Sequence, residues 1–176
     1  MEKAASNHRR LMLAGAASAV VVGAATVFRS GSSAISYPHG SPLEVEISDL
    51  TEGKLRTVEW QGRPVWILRR SAQSVSALAT HDPMLLDPES QHSAQPLPCR
   101  NRHRSLRPDI FVAVGLCTHQ GCSPALLSAD IFLCPCHASR YDLAGRVFNA
   151  GPASANLVIP AYRFEAADRL LLGVDA

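Results

Sequence analysis

At 176 residues with 47% hydrophobic side chains, the chain is long enough for one globular domain plus a short appendage, and apolar enough to bury a core. Seventeen Lys and Arg against fifteen Asp and Glu leave a net charge of +2. No basic stripe of the density that a nucleic-acid surface needs is present, so no nucleic-acid partner is expected.

Residues 1–10 carry Lys3, Arg9 and Arg10 ahead of an uncharged apolar run, Leu11 to Phe28. Those 18 residues would make a helix about 27 Å long, close to the hydrocarbon thickness of a bilayer, so residues 11–28 are expected to form a single transmembrane helix. Positive charge before the span keeps residues 1–10 in the cytoplasm and places everything after Arg29 outside it. In a bacterium this is a single-pass inner-membrane protein with its main domain in the periplasm. Arg9-Arg10 also looks like a twin-arginine export signal. The competing reading is a cleaved signal peptide with Ser32-Ser33-Ala34 at its end, but the apolar run exceeds the usual length for one. Residues 29–42 have Gly and Ser without an apolar period, as expected of a flexible hinge.

Residues 43–176 read as an all-β, antiparallel domain. Short β-prone runs are Val45 to Ser48, Thr57 to Trp60 and Val65 to Arg69, the last two joined by a turn at Gln61-Gly62-Arg63. Ser71 to Thr80 is the expected helix. Asp87 to Arg107 is polar and Pro-containing and reads as a long loop. Its basic cluster, Arg100 to Arg104 with Arg107, is expected to be solvated and not a docking patch. Phe111 to Leu116 and Asp130 to Leu133 are strands leading into two cysteine-rich loops, and Asn156 to Ile159, Tyr162 to Glu165 and Leu170 to Val174 close the domain.

Those loops hold the chemistry. Cys117-Thr-His119 stands at one end of the pair and Cys134-Pro-Cys-His137 at the other, offering two thiolates and two imidazoles, with Cys122 and Cys136 beside them. The arrangement reads as a 2Fe-2S cluster held asymmetrically, one iron by Cys117 and Cys134 and the other by His119 and His137. Two neutral imidazoles in place of thiolates make the oxidised cluster formally neutral, so it accepts an electron more readily. Tetrahedral zinc is a rival, but zinc sites usually pair Cys with Cys and His with His, and here each pair is mixed. A set of structural disulfides would leave both histidines unexplained.

Cys117-Thr-His-Gln-Gly-Cys122 and Cys134-Pro-Cys-His-Ala-Ser139 resemble the two boxes of the Rieske iron-sulfur subunit of ubiquinol:cytochrome c reductase, the respiratory cytochrome bc complex. The resemblance extends to Glu46 to Lys54, Val58 to Ile67, Tyr141 to Arg146 and Gly151-Pro152. Gln120 and Ala138 depart from it, standing where the family commonly has leucine and glycine. The resemblance implies a Rieske-type β-sandwich with a small cluster-binding subdomain at about 115–153, and potentials of roughly −150 to +300 mV, a range that belongs to Rieske centres as a class. It further implies a Cys122–Cys136 disulfide and hydroxyl donors to the cluster from Ser139 and Tyr141. Gly151-Pro152 would cover the cluster, and His119 and His137 would be the residues that meet ubiquinol. The implied partners are cytochrome b and a c-type cytochrome subunit in a dimeric complex. Cys99 would be a free loop cysteine. A different class, the Rieske-type carrier of an oxygenase or other redox system, shares the ligand set, but Cys122, Cys136 and the N-terminal span favour the quinol-oxidising subunit. A structural, non-redox cluster would gain nothing from histidine ligands.

Overall fold

The computed structural model describes residues 38–128 and 130–176, so the expected span at 11–28, the twin-arginine pair and most of the 29–42 hinge lie outside the described residues. Among the described residues no helix is long and apolar enough to cross a membrane.

The described residues fold as all-β structure in three antiparallel sheets. The first, in the order β1-β9-β8, comprises β1 (Leu43–Glu46), β8 (Tyr162–Ala166) and β9 (Arg169–Leu172). The second is built from β2 (Leu55–Trp60), β3 (Arg63–Arg69) and β4 (Ile110–Val114), with β3 in the centre. A third, smaller sheet of β5 (Ala125–Leu126), β6 (Ile131–Leu133) and β7 (Arg140–Asp142) carries the cysteine-rich loops.

Local sequence explains the second sheet. Gln61 and Gly62 both have positive φ, 53° and 68°, between the paired residues Trp60 and Arg63. Two left-handed residues make the tight turn whose twist matches a hairpin. The consecutive apolar residues Val65 to Leu68 and Ile110 to Val114 are all buried, as expected where a strand is covered on both faces. Trp66 then stacks on Phe132 of β6 at 4.9 Å between ring centroids, which joins the second sheet to the third. Gly115 makes room for that indole, because a Cβ there would lie 2.3 Å from Trp66 Nε1.

Several segments differ from the sequence reading. Asn156 to Ile159 is not a strand. Its backbone bonds go to three separate segments, Leu157 N–H to Gly145 O, Val114 N–H to Val158 O and Ile159 N–H to Ala94 O, so no ladder can form. The expected helix is shorter: α1 spans Ala72–Ala77 with Ser71 Oγ accepting from Ser74 N–H, and a 3-10 helix follows at Leu78–Met84. The basic cluster is not uniformly solvated either. Arg104 is fully buried, its guanidinium donating to the Ala144 and Gly145 carbonyls and to Gln95 Oε1. Residues 38–41, at the end of the expected hinge, hydrogen-bond to the domain. Pro38 O accepts from Ala161 N–H, Ser41 O from Trp60 Nε1–H and His39 O from Gln61 Nε2.

Three buried arginines converge on residues 142–145, just after the third sheet's last strand. Arg70 donates to Leu143 O and Arg104 to Ala144 O and Gly145 O, while Arg146 pairs with Asp142. They grip the turn that follows β7, and β7 carries Tyr141.

Candidate metal centre

The two loops share one conformation. In the first, Cys117 N–H donates to Cys122 O and Gly121 N–H to Cys117 O; in the second, Cys134 N–H donates to Ser139 O and Ala138 N–H to Cys134 O. The offsets are the same, and in each loop the residue four after the first cysteine is left-handed, Gly121 at φ 78° and Ala138 at φ 59°. Each loop thus curls its backbone around a cysteine. The departure at Ala138 now has a physical meaning: it occupies a position that favours glycine. Ala138→Gly is expected to stabilise the fold by about 1 kcal/mol, read as a raised denaturation midpoint in urea.

The first cysteine of each loop is buried, Cys117 at 4% and Cys134 at 1% exposure. His119 is half-buried and His137 exposed, with ring centroids 4.7 Å apart and the rings nearly perpendicular. The two thiols therefore lie inside, His137 lies outside and His119 between them. Cys122 and Cys136 form a disulfide with Cα atoms 6.5 Å apart, and the sulfurs of Cys122, Cys134 and Cys136 lie within 4.8 Å of one another. With the disulfide made, Cys117 and Cys134 are the thiols left to coordinate. Cys99 is the other free cysteine among the described residues. It is buried in a 3-10 turn, and burial pushes its thiol up to about 11, so it is inert.

Hydrogen bonds tune the inner thiols. Tyr141 donates its hydroxyl to Cys117 Sγ at 3.2 Å. Burial works against ionisation of Cys117, but the Tyr141 hydroxyl, the His119 N–H and the Cys134 and Ser139 side chains outweigh it, and its pKa falls below the ordinary thiol value. At Cys134 burial wins and the pKa rises, with the neighbouring Cys117 adding to it. Burial and the Cys117 contact raise Tyr141, so the phenol stays protonated as a donor. Ser139, 1% exposed, accepts the Ala153 N–H through Oγ. Gly151 packs against Ser139, where a Cβ would come within 3.1 Å of Ser139 Cα. Gly151 and Pro152 themselves are exposed beside the second loop.

Sequence reasoning passed over Thr118. Its Oγ1 donates to Ala155 O at 2.6 Å and meets Tyr141 OH at 3.0 Å, and its backbone N–H donates to the same phenol oxygen. Thr118 thereby fixes the phenol that faces Cys117. The available signal was its place between a thiol and an imidazole in the first box.

Two thiols, two imidazoles and hydroxyl donors suit a 2Fe-2S cluster. One orphaned atom supports that fit: His119 Nδ1 is buried and has no hydrogen-bond partner, whereas a buried ring nitrogen normally has one unless it ligates.

Residues 42–163 match the family model described as the Rieske [2Fe-2S] domain. The chain is 45% identical over 147 residues to the ubiquinol-cytochrome c reductase iron-sulfur subunit of Allochromatium vinosum, covering 77% of this chain and 71% of that protein. It is 35% identical over 170 residues to the subunit of the same name from Bradyrhizobium diazoefficiens, covering 93% and 92%. Among solved structures, a chain of a hyperthermophilic respiratory Complex III superposes with a TM-score of 0.51 over 74% of each chain, at 24% identity, a likeness of fold.

Proposed function

The chain belongs to the Rieske [2Fe-2S] family, among the iron-sulfur subunits of ubiquinol-cytochrome c reductase, and from that membership we propose how its residues work. The chain carries one electron from ubiquinol to a c-type cytochrome, with release of the quinol's protons. Cys117 and Cys134 hold one iron of a 2Fe-2S cluster and His119 and His137 the other. The observation that carries this reading is the pairing of two buried thiols with one exposed and one half-buried imidazole across loops whose backbone hydrogen bonds have the same offsets, clasped by the Cys122–Cys136 disulfide.

When bound, the cluster supplies a one-electron acceptor whose reduced form carries one more negative charge. Tyr141 and Ser139 direct hydroxyls at the thiol side and so favour that added charge. One of the two histidines, exposed His137 or half-buried His119, with its outer ring nitrogen deprotonated, would accept a hydrogen bond from the quinol hydroxyl and take up its proton as the electron leaves. The second quinol electron goes to cytochrome b. Residues 11–28 anchor the chain in the bacterial inner membrane with the described domain in the periplasm, within a dimeric complex that makes the chain part of a translocase.

Loss of a hydroxyl donor removes about 1.4 kcal/mol of preference for the reduced state. Tyr141→Phe or Ser139→Ala is therefore expected to lower the midpoint by about 60 mV for one electron, measured by redox titration of the electron paramagnetic resonance signal. An unchanged midpoint in both variants would contradict the assigned role.

The proposal is tested in a host lacking the native subunit. Membranes restored with the wild-type chain should reduce cytochrome c from ubiquinol and, on reduction, show a low average g value, the mark of mixed Cys and His ligation. His137→Cys should abolish the quinol-dependent rate even where a cluster assembles. Persistence of that rate in the variant sinks the proposal.

A further inference from the structure

The second box closes between the paired residues Leu133 and Arg140, so Arg140 stands at the end of the β6–β7 hairpin that carries Cys134 and His137. It is exposed, whereas Tyr141 and Asp142 after it are buried. Around it, this end of the domain is uncharged apart from its histidines. Residues 117–125, 134–140 and 149–154 hold no Asp, Glu or Lys, and Arg140 is their single arginine. The three stretches form one neighbourhood: Gly151 packs on Ser139, the Ser139 hydroxyl accepts from Ala153 N–H, and Thr118 donates to Ala155 O.

The Arg140 guanidinium is both placed and open. It lies over the Phe148 ring, 5.3 Å from the centroid. Phe148 is itself fixed, being 6% exposed and donating its backbone N–H to Arg140 O. A cation held by the face of a ring keeps its N–H groups free, and a side chain already placed loses less entropy when a partner arrives. Among the described residues Arg140 has no ion pair and its guanidinium no hydrogen bond. The carboxylates of the third sheet do not oppose it. Asp142 is fully buried on Arg146, and Asp130 precedes β6 at the far end of the hairpin, bonded to Ser128.

We propose that Arg140 is the residue by which this domain recognises its electron acceptor, taking an Asp or Glu carboxylate on the docking face of the c-type cytochrome in a bidentate contact beside His137. The proposal rests on the reading of the chain as a carrier from ubiquinol to such a cytochrome. Ubiquinol is uncharged and gives Arg140 nothing to select. The acceptor must be met and left once per electron, and in such an encounter charge sets orientation and rate of docking more than tightness. On a face otherwise without formal charge, one open guanidinium makes that choice, and its planar fork fits a carboxylate through two parallel bonds.

The test uses the intact complex, with wild-type or variant subunit in otherwise native membranes. The c-type haem is oxidised by a flash in the presence of a ruthenium photo-oxidant, and its re-reduction by the pre-reduced cluster is followed optically. Arg140→Gln should slow that step roughly threefold and Arg140→Glu roughly tenfold at low salt, with Arg140→Lys recovering most of the rate. The difference should shrink as ionic strength rises. Reduction of the cluster by ubiquinol, followed by its paramagnetic signal, should stay as in the wild type. Loss of a cation near the cluster lowers its midpoint and so raises the driving force toward the haem, which means that a slower step reports docking. If Arg140→Glu loses the fold, Arg140→Gln carries the comparison. Equal rates in wild type and folded variants overturn the proposal, as does a slowing that salt does not change or one confined to the ubiquinol step. A wild-type complex whose haem the cluster fails to re-reduce refutes the carrier function itself.

Discussion

Arg146→Met is expected to cost the domain about 3–5 kcal/mol, because it strands a buried carboxylate. Arg146 and Asp142 are both fully buried. The guanidinium donates to Asp142 Oδ2 through Nε at 2.8 Å, to Asp82 Oδ1 at 2.7 Å and to Leu78 O at 2.7 Å, tying the turn after β7 to the 3-10 helix. Asp142 Oδ1 in turn accepts the Ala144 and Arg146 N–H groups. Methionine fills much of the volume but leaves the carboxylate's charge without its partner. The pH dependence gives a sharper readout than the midpoint alone. Burial by itself would raise the Asp142 pKa, but the His81 contact, the Arg146 charge and the hydrogen bonds prevail and hold it below the ordinary carboxylate value. A depressed folded pKa contributes stability that is present above the unfolded value, about 3.9, and is lost as pH falls through the folded value. Without Arg146 the burial contribution should prevail, the folded pKa should lie above the unfolded one, and stability should rise as pH falls through the folded value. Urea denaturation across pH 3 to 7 checks both. A loss below about 1 kcal/mol, or an acid limb like that of the wild type, would show that the pair does not hold the turn.

How far the sequence discloses this molecule depends on whether each feature is local. The β2–β3 hairpin is legible because Gln61-Gly62 sits between β-prone runs, and the chemistry of a hairpin turn is contained in those two residues. The box residues are legible for the same reason: each box is a short run whose cysteine and histidine spacing is read without any distant contact. Arg104 is not, because the groups that satisfy it are the Ala144 and Gly145 carbonyls about forty residues away, and a charged run in a polar segment otherwise reads as solvated. Asn156 to Ile159 misleads in the opposite direction. Its apolar character reflects burial among three unrelated segments, and burial alone does not make a ladder. β7 is three residues, Arg140–Asp142, too short and polar to stand out before β6 is in place beside it. The donor role of Tyr141 came from resemblance alone; the 3.2 Å contact with Cys117 Sγ and the supporting Thr118 depend on how the two loops meet in space.

Removing the disulfide should be felt most at the metal centre. Cys122 and Cys136 are 14 residues apart, and closing a loop of that order is worth about 3 kcal/mol through the unfolded state. The local effect is larger in consequence. Within each box the backbone bonds are internal, Cys117 to Cys122 and Cys134 to Ser139, so they shape each loop without binding it to the other. Between the boxes the Tyr141 hydroxyl reaches Cys117 and Thr118 on the buried side, while on the exposed side the disulfide is the covalent tie. Without it, the loop bearing exposed His137 can swing from the loop bearing His119, and the histidine-held iron should be the first lost. The Cys122→Ser/Cys136→Ser variant is therefore expected to assemble less cluster and to lose it faster, followed as decay of visible circular dichroism and of the paramagnetic signal. Cys136 is exposed, so a dithiol should reach the bridge in the wild type and produce the same lability in a protein that had already assembled its cluster. That second arm separates the two roles: if the reduced wild type keeps its cluster while the serine variant never acquires one, the disulfide serves assembly and not retention. If the serine variant matches the untreated wild type in cluster content, midpoint and lifetime, the bridge does not hold the two loops together at all.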